Sequence, residues 1–263
     1  MSGASPLVFQ GDRSLLGSVT GTGRALRRTR ACVGALCTEL LSSPSPHLSE
    51  RERFHLDARA AQRLALRMLE IVGVQLTVRG SIPSGPVVLV SNHLGWLDPV
   101  VLGALLPLAA IAKSELSRWP FLGRVAAHVG TLFLHRGSPH HGAVVLRASL
   151  RRLVSGVPVL NFPEGTTTDG SGALLPFRRG IFGIARRSGV PVVPVALRVF
   201  PEDTAWVGGA PFLPHYWRTT SRSSVRAVVR FGEPLDARSA PSAQACAAVV
   251  RARVAALLRG HSG

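Results

Sequence analysis

The feature that most constrains this chain is the regular alternation, from Val74 onward, of short apolar runs with helix-like segments. Runs rich in β-branched residues lie at 74–78, 87–91, 109–112, 131–134, 157–162, 192–199 and 224–231. Helical patterns lie between several of them, at 99–106, 119–128, 142–154 and 178–188, with a final helix predicted from Ser242 to Leu258. Such alternation is typical of parallel strands joined by crossover helices. The sequence therefore predicts an α/β fold, with a mixed, largely parallel sheet flanked by helices.

Two further helices are predicted before this region, at about 23–41 and 49–72, and together they form an N-terminal amphipathic two-helix segment. Leucines of the second helix lie on one broad stripe beside a set of arginines. This pattern fits a helix packed on the main domain with a solvated arginine face, a helix lying on a membrane surface, or both. We therefore expect disorder over residues 1–22, membrane-docking helices over 23–72 and the α/β domain over 73–263.

The formal net charge of +17 favours an anionic partner, whether nucleic acid, an anionic membrane or an acidic substrate. The chain has no zinc-finger or RNA-recognition motif, and its aromatic content is only 6%, so no nucleic acid is expected as a partner. Its longest uncharged apolar stretch, 99–112, is shorter than the ~18–20 residues that span a bilayer. Three cysteines without metal-site spacing favour a reducing compartment. We expect a protein that lies on a membrane without crossing it.

A histidine and an aspartate lie in the polar stretch that follows the run at 87–91. His93 and Asp98 would point ~140° apart on one continuous helix, but they can meet across a turn that leads into a helix beginning at Pro99. A neutral histidine can take the proton of an attacking hydroxyl, and a carboxylate on its other ring nitrogen fixes the tautomer. Alone, the two residues are more typical of a structural histidine and a helix-capping aspartate, and it is the neighbouring motifs that favour the catalytic interpretation.

Three other motifs stand at the ends of predicted strands. The stretch 161–170, Asn-Phe-Pro-Glu-Gly-Thr-Thr-Thr-Asp-Gly, predicts a tight turn whose free backbone N–H groups can bind an anion or stabilise an oxyanion. The stretch 130–136 ends in Arg136, where an α/β sheet places its ligands. The proline-bracketed run 190–195 is predicted to be a buried strand that shapes the pocket.

Together these motifs resemble, in order, the four blocks of the glycerolipid acyltransferase family, whose members acylate lysophosphatidic acid and related lysolipids. The four blocks lie at 92–98, 130–136, 162–166 and 190–194, and the resemblance extends over roughly 74–235. It implies an α/β domain preceded by helices that dock on the membrane. It also implies an O-acyltransferase at the cytoplasmic face of the inner membrane, bound there as a peripheral or monotopic protein.

The resemblance implies a role for each matched residue. His93 would deprotonate the acceptor hydroxyl and Asp98 would orient it, so these two are the predicted catalytic residues. The predicted substrate-binding residues are Asn92, Arg136, Glu164, Gly165 and Thr166. The hydroxyl would attack the thioester of acyl-CoA or acyl-carrier protein directly, which agrees with the lack of a G-x-S-x-G motif. Neither a metal nor a bound cofactor is implied.

The acceptor implied by the resemblance is 1-acylglycerol-3-phosphate, which would give phosphatidic acid. The family's third block often reads Glu-Gly-Thr-Arg-Ser, whereas here Thr167 stands in the place of that arginine. The change weakens a charge-assisted grip on phosphate, and family members with threonine here include enzymes that acylate lyso-ornithine lipids. A lyso-ornithine lipid or another lysolipid is therefore the alternative acceptor. A non-catalytic membrane- or lipid-binding protein of the same fold is the other alternative.

Overall fold

The computed structural model of the protein describes residues 7–9, 20–42, 47–135, 139–171, 173–207 and 211–260. The strands within these ranges are β1 (Leu7–Phe9), β2 (Val74–Arg79), β3 (Val88–Ser91), β4 (Ala109–Lys113), β5 (Leu132–Leu134), β6 (Val159–Asn161), β7 (Val192–Phe200) and β8 (Val225–Phe231). The helices are α1 (Gly21–Leu41), α2 (Glu50–Val72), α3 (Leu97–Leu105), α4 (Leu122–His128), α5 (Pro139–Val154), α6 (Gly180–Ser188), α7 (Phe212–Ser221) and α8 (Ala243–Arg259). Single 3-10 turns lie at Ser114–Arg118, Glu202–Thr204 and Ala237–Ser239.

The strands form one sheet in the order β1-β2-β8-β7-β3-β6-β4-β5. Neighbouring strands are parallel except for the pairs β1–β2 and β7–β8, which confirms the predicted mixed, largely parallel sheet flanked by helices. The seven predicted strands correspond to β2–β8. Strand β1 falls in the segment predicted to be disordered, and the other residues before position 20 lie outside the described ranges.

The central strand β3 contributes to a hydrophobic core on each face of the sheet. Val88 and Val90 pack into a cluster with α6 and α8, whereas Leu89 packs into a second cluster with α2 and α3. Successive side chains of a strand point to opposite faces, so a strand that is buried on both sides reads as a continuous apolar run. This central position fixes the end of β3, and with it the turn that follows.

The two N-terminal helices pack on the sheet domain. Helix α2 is closed at its start by a capping box between Ser49 and Glu52, and it ends at Gly73, whose φ of 74° suits a left-handed cap. Its Leu69 lies in the same core as the strands, while Arg28 of α1 donates to the Thr220 carbonyl oxygen at 3.0 Å. The predicted amphipathic two-helix segment is thus present, and it shares a core with the domain.

Two local features differ from the sequence prediction. Helix α3 begins at Leu97 and not at Pro99, so Asp98 lies inside the first turn of the helix. Helix α7 was not predicted, because its segment is short, contains a proline and buries polar residues: His215, Thr219 and Thr220. No helix among the described residues is long and apolar enough to span a membrane.

Candidate active site

The turn between β3 and α3 brings His93 and Asp98 into contact. Nδ1 of His93 lies 2.6 Å from Oδ2 of Asp98. The same carboxylate oxygen accepts hydrogen bonds from the backbone N–H groups of Leu94 and Gly95, the latter at 2.8 Å. These donors face the N-terminal turn of a helix, where a negative charge is favoured. Because a carboxylate can only accept, Nδ1 of His93 carries the proton, and Nε2 keeps its lone pair.

Burial differs sharply between the two partners. The Asp98 side chain is 1% exposed, whereas the His93 side chain is 20% exposed. The His93 ring also stacks on Phe162, with ring centroids 4.1 Å apart and an interplanar angle of 17°. The carboxylate is therefore sheltered from water, while the imidazole is held in one plane and remains accessible.

The loop after β6 holds the main chain of His93. The N–H of Thr168 donates to the His93 carbonyl oxygen at 2.8 Å, and the His93 N–H donates to Oε1 of Glu164 at 3.2 Å. The other oxygen of Glu164 accepts from the N–H of Leu175 at 2.9 Å. Burial raises the pKa of Glu164, and these two backbone donors act in the opposite direction. The Glu164 carboxyl thus joins the His93 turn to the segment after the loop.

Asn92 uses its amide in a similar way. Its Nδ2 donates to the Leu197 carbonyl oxygen at 2.9 Å, and its Oδ1 accepts from the Leu197 N–H at 2.8 Å. The residue is 2% exposed. Both Asn92 and Glu164, which the sequence placed among the substrate-binding residues, therefore have their polar atoms bonded to main chain that surrounds the turn.

The remaining predicted site residues lie around the same loop or outside the described ranges. Gly165 has a φ of 75°, and a Cβ added there would lie 2.8 Å from Nε of Arg178, so the loop and this guanidinium approach closely. Thr166 is half-buried beside it. Arg136 lies outside the described residues, so the structure does not position it against the turn.

Three further residues also adjoin the turn: Thr167, which the sequence analysis noted only for its effect on the acceptor, and Trp206 and His215, which it did not identify. The Thr167 hydroxyl donates to the carbonyl oxygen of Trp206, whose N–H donates to the Leu94 carbonyl oxygen at 2.7 Å. The Trp206 ring stacks on His215 of α7, with centroids 5.6 Å apart. His215 is 2% exposed, and burial lowers its pKa from 6.5 to about 4. A lone histidine on an unpredicted helix gives no local signal of this placement.

This arrangement suits proton transfer from a hydroxyl group. The accessible Nε2 can accept a proton, and the Asp98 carboxylate stabilises the imidazolium that forms. Burial of the carboxylate strengthens that stabilisation, since the effective dielectric constant is lower than in water.

Comparison with known proteins agrees with the family resemblance of the four sequence motifs. Residues 74–198 match the family described as Acyltransferase. The chain is 34% identical over 210 residues to a lyso-ornithine lipid O-acyltransferase of Brucella abortus (strain 2308), covering 72% of this chain and 78% of that protein. It is 36% identical over 146 residues to a 1-acyl-sn-glycerol-3-phosphate acyltransferase of Neisseria meningitidis serogroup B, covering 55% and 57%.

The fold is also that of a solved structure, the 1-acyl-sn-glycerophosphate (LPA) acyltransferase PlsC from Thermotoga maritima. The two chains superpose with a TM-score of 0.65 at 22% identity, over 91% of this chain and 96% of the other. This likeness concerns the fold alone, whereas the family match and the Brucella relative concern the sequence that contains the His93–Asp98 turn. The chain is an enzyme and belongs to the acyltransferase family.

Proposed function

We propose that this enzyme transfers a fatty acyl group from a thioester to the hydroxyl group of a lysolipid. The observation that carries the proposal is the 2.6 Å contact between His93 Nδ1 and Asp98 Oδ2, on a ring that remains accessible to a substrate. The names of the Brucella and Neisseria relatives, both lysolipid acyltransferases, support the acceptor class. His93 and Asp98 are the proposed catalytic residues.

The reaction needs no covalent enzyme intermediate. Nε2 of His93 takes the proton of the acceptor hydroxyl while its oxygen forms a bond to the thioester carbonyl carbon. The C–S bond then breaks, and the departing thiolate of the donor takes the proton from the His93 imidazolium. Asp98 holds the ring in the reactive tautomer and stabilises the imidazolium between the two steps. Acyl-CoA and acyl-carrier protein are both suitable donors, because each presents its thioester on a phosphate-bearing arm that suits the basic chain.

We infer that the preferred acceptor is a lyso-ornithine lipid. The Thr167 hydroxyl donates a hydrogen bond to the Trp206 carbonyl oxygen. This position therefore forms a tether between two loops and provides no positive charge for the acceptor head group. The guanidinium of Arg178 adjoins the same loop at Gly165. One guanidinium matches the single carboxylate of an ornithine head group, whereas a phosphate monoester carries a charge of about −1.5 to −2 at pH 7.

A second candidate acceptor is 1-acylglycerol-3-phosphate. The formal net charge of +17 and the Neisseria relative favour it. Arg136, which the family resemblance assigns to the anionic head group, would supply a further cation for a phosphate. The two acceptors differ in head-group charge, so they can be separated by changing the charge at position 167.

We also propose that residues 23–72 dock the enzyme on an anionic membrane at its cytoplasmic face. On α1 the side chains of Leu26, Val33 and Leu41 are 53%, 45% and 83% exposed, and their spacing places them on one side of the helix. Arginines lie between them, at Arg27 and Arg30. An exposed face that mixes apolar and basic side chains suits the boundary between acyl chains and anionic head groups.

An acyl-transfer assay with purified protein tests the function. Lyso-ornithine lipid, 1-acylglycerol-3-phosphate and a neutral lysolipid would be offered with acyl-CoA and with acyl-carrier protein, and thiol release would be followed. We expect turnover by the wild type and none by His93→Ala, with circular dichroism showing that the variant is folded. Binding to liposomes without turnover of any pair would support the non-catalytic alternative. Full activity of His93→Ala would contradict the mechanism.

The variant Thr167→Arg tests the acceptor. It removes the tether to Trp206 and adds a cation beside the loop, so we expect the ratio of kcat/KM values to move toward 1-acylglycerol-3-phosphate by about tenfold or more. Thr167→Val, which removes the tether without adding charge, is the matched control. An unchanged ratio in Thr167→Arg would exclude position 167 as a determinant of the acceptor.

A further inference from the structure

A small cavity lies behind the His93–Asp98 turn, between that turn, the end of β7 and helix α7. Its lining includes Trp96, Asp98, Val199, Thr204, His215 and Thr219. The cavity has room for about one water molecule. It lies beside the Asp98 carboxylate, has both apolar and polar residues in its lining, and is not lined by His93.

Three residues of this lining each have a buried polar atom without a hydrogen-bond partner among the described residues. These atoms are Oδ1 of Asp98, Nδ1 of His215 and Nε1 of Trp96. Asp98 and His215 are 1% and 2% exposed, so bulk solvent does not reach them. Buried polar atoms in proteins are nearly always hydrogen-bonded, either to protein or to an ordered water. A water needs two to four polar partners, and these three residues supply them.

The protonation state of His215 allows its imidazole to donate a hydrogen bond to such a water. Burial is the main reason that the pKa of His215 is lowered to about 4; nearby Arg218 lowers it further, while Asp98 acts in the opposite direction. The imidazole is therefore neutral at pH 7, with one N–H donor and one lone pair. A neutral ring can donate to a water from Nδ1 without bringing a second charge next to Asp98.

We propose that a single buried water joins Oδ1 of Asp98 to Nδ1 of His215 and Nε1 of Trp96, and that His215 is a positioning residue for the His93–Asp98 pair. The water accepts from the imidazole and indole N–H groups and donates to the carboxylate. It thereby fixes the rotation of the carboxylate, so that Oδ2 stays aligned with His93. This inference rests on the proposed function, because the positioning matters only if His93 accepts a proton.

The test compares His215→Leu, which removes the donor, with His215→Asn, whose amide N–H group can take the position of the imidazole Nδ1. Losing a hydrogen bond to a buried charged group should lower kcat by about 10- to 100-fold in His215→Leu. KM for both substrates should change by less than about twofold, since the effect arises in the transition state. His215→Asn should keep most of the wild-type kcat. A control outside both the turn and residues 23–72 is Ser149→Ala on α5, which removes a buried hydrogen bond from the hydroxyl to the Val145 carbonyl oxygen; its kcat should equal the wild-type value.

A high-resolution crystal structure of the wild type gives a readout that does not depend on activity. We expect an ordered water within hydrogen-bond distance of Asp98 Oδ1 and His215 Nδ1. A dry cavity, an unchanged kcat in His215→Leu, or an equal loss in the leucine and asparagine variants would each overturn the proposal. If His215→Leu does not fold, the asparagine variant and the wild-type water decide the question. A wild type that acylates nothing would refute the proposed function, while the crystallographic water would still be judged separately.

Discussion

Replacing Asp98 by asparagine removes the charge beside His93 while keeping the shape of the side chain. In the wild type, Oδ2 alone accepts from His93 Nδ1 and from the N–H groups of Leu94 and Gly95. An amide oxygen in that place can keep all three hydrogen bonds, whereas an amide nitrogen there would face three donors. The structure therefore selects the orientation of the asparagine, and His93 should retain its proton on Nδ1.

The loss of activity should then reflect the missing charge and not a wrong tautomer. A hydrogen bond to a charged partner contributes about 1.5–3 kcal/mol, so kcat should fall by about 10- to 150-fold. In a serine-protease triad, the corresponding change produces the wrong tautomer and costs about 10⁴-fold.

The assay measures steady-state thiol release at saturating donor and acceptor, and His93→Ala gives the background rate. Thermal unfolding by circular dichroism would establish that Asp98→Asn is folded. A loss as large as that of His93→Ala in a folded protein would refute the reasoning, because it would mean that the amide presents its nitrogen to His93. A fall in kcat of less than about threefold would also refute the reasoning, since the charge of Asp98 would then contribute almost nothing to transition-state stabilisation.

Two predictions concern stability. Asn92→Leu leaves the buried N–H and C=O of Leu197 without their partners, so the free energy of unfolding in urea should fall by about 2–4 kcal/mol. The KM of the folded variant should change little. A large rise in KM would instead indicate that Asn92 contacts the substrate. The pKa of His215 is lowered from 6.5 to about 4, so between these pH values the unfolded chain binds more protons and stability rises with pH. From pH 7 to pH 5 the wild type should therefore lose about 2 kcal/mol more than His215→Gln; equal losses in urea unfolding would contradict this.

The strands β2–β8 and the longer helices are predictable because their signals are local. Apolar runs such as 87–91 and 192–199 become β3 and β7, since a strand buried on both faces needs a continuous apolar sequence. The order of the strands has no such signal, because it depends on pairings between segments far apart in the chain. Strand β1 has only three residues, and helix α7 buries polar side chains, so neither gives a clear signal in the sequence; in the fold, β1 pairs with β2 and α7 packs on α1.

The candidate site also contains some residues that a local sequence pattern predicts and others that it does not. His93 and Asp98 are five residues apart, so one turn suffices to bring them together. The residues that hold this turn come from distant parts of the chain: the Asn92 amide pairs with Leu197, and the Glu164 carboxyl accepts from the His93 N–H. His215 reaches the same turn from α7. The sequence alone is enough to propose His93 and Asp98 as the catalytic pair, whereas these supporting contacts become visible only in the folded structure.

This division explains why family resemblance predicts the reaction better than the acceptor. The proposed chemistry depends on a turn that is encoded in a few consecutive residues, and that turn would act on any hydroxyl that reaches the imidazole. In our proposal the acceptor depends on side chains that meet only in the fold, such as Thr167 and Trp206, whose hydrogen bond joins the loop after β6 to the loop after β7. A substitution at Thr167 can therefore change which head group binds while the contact between His93 and Asp98 stays intact. A shift in acceptor preference in Thr167→Arg, with kcat on the preferred acceptor kept within about tenfold, is the result that this separation requires.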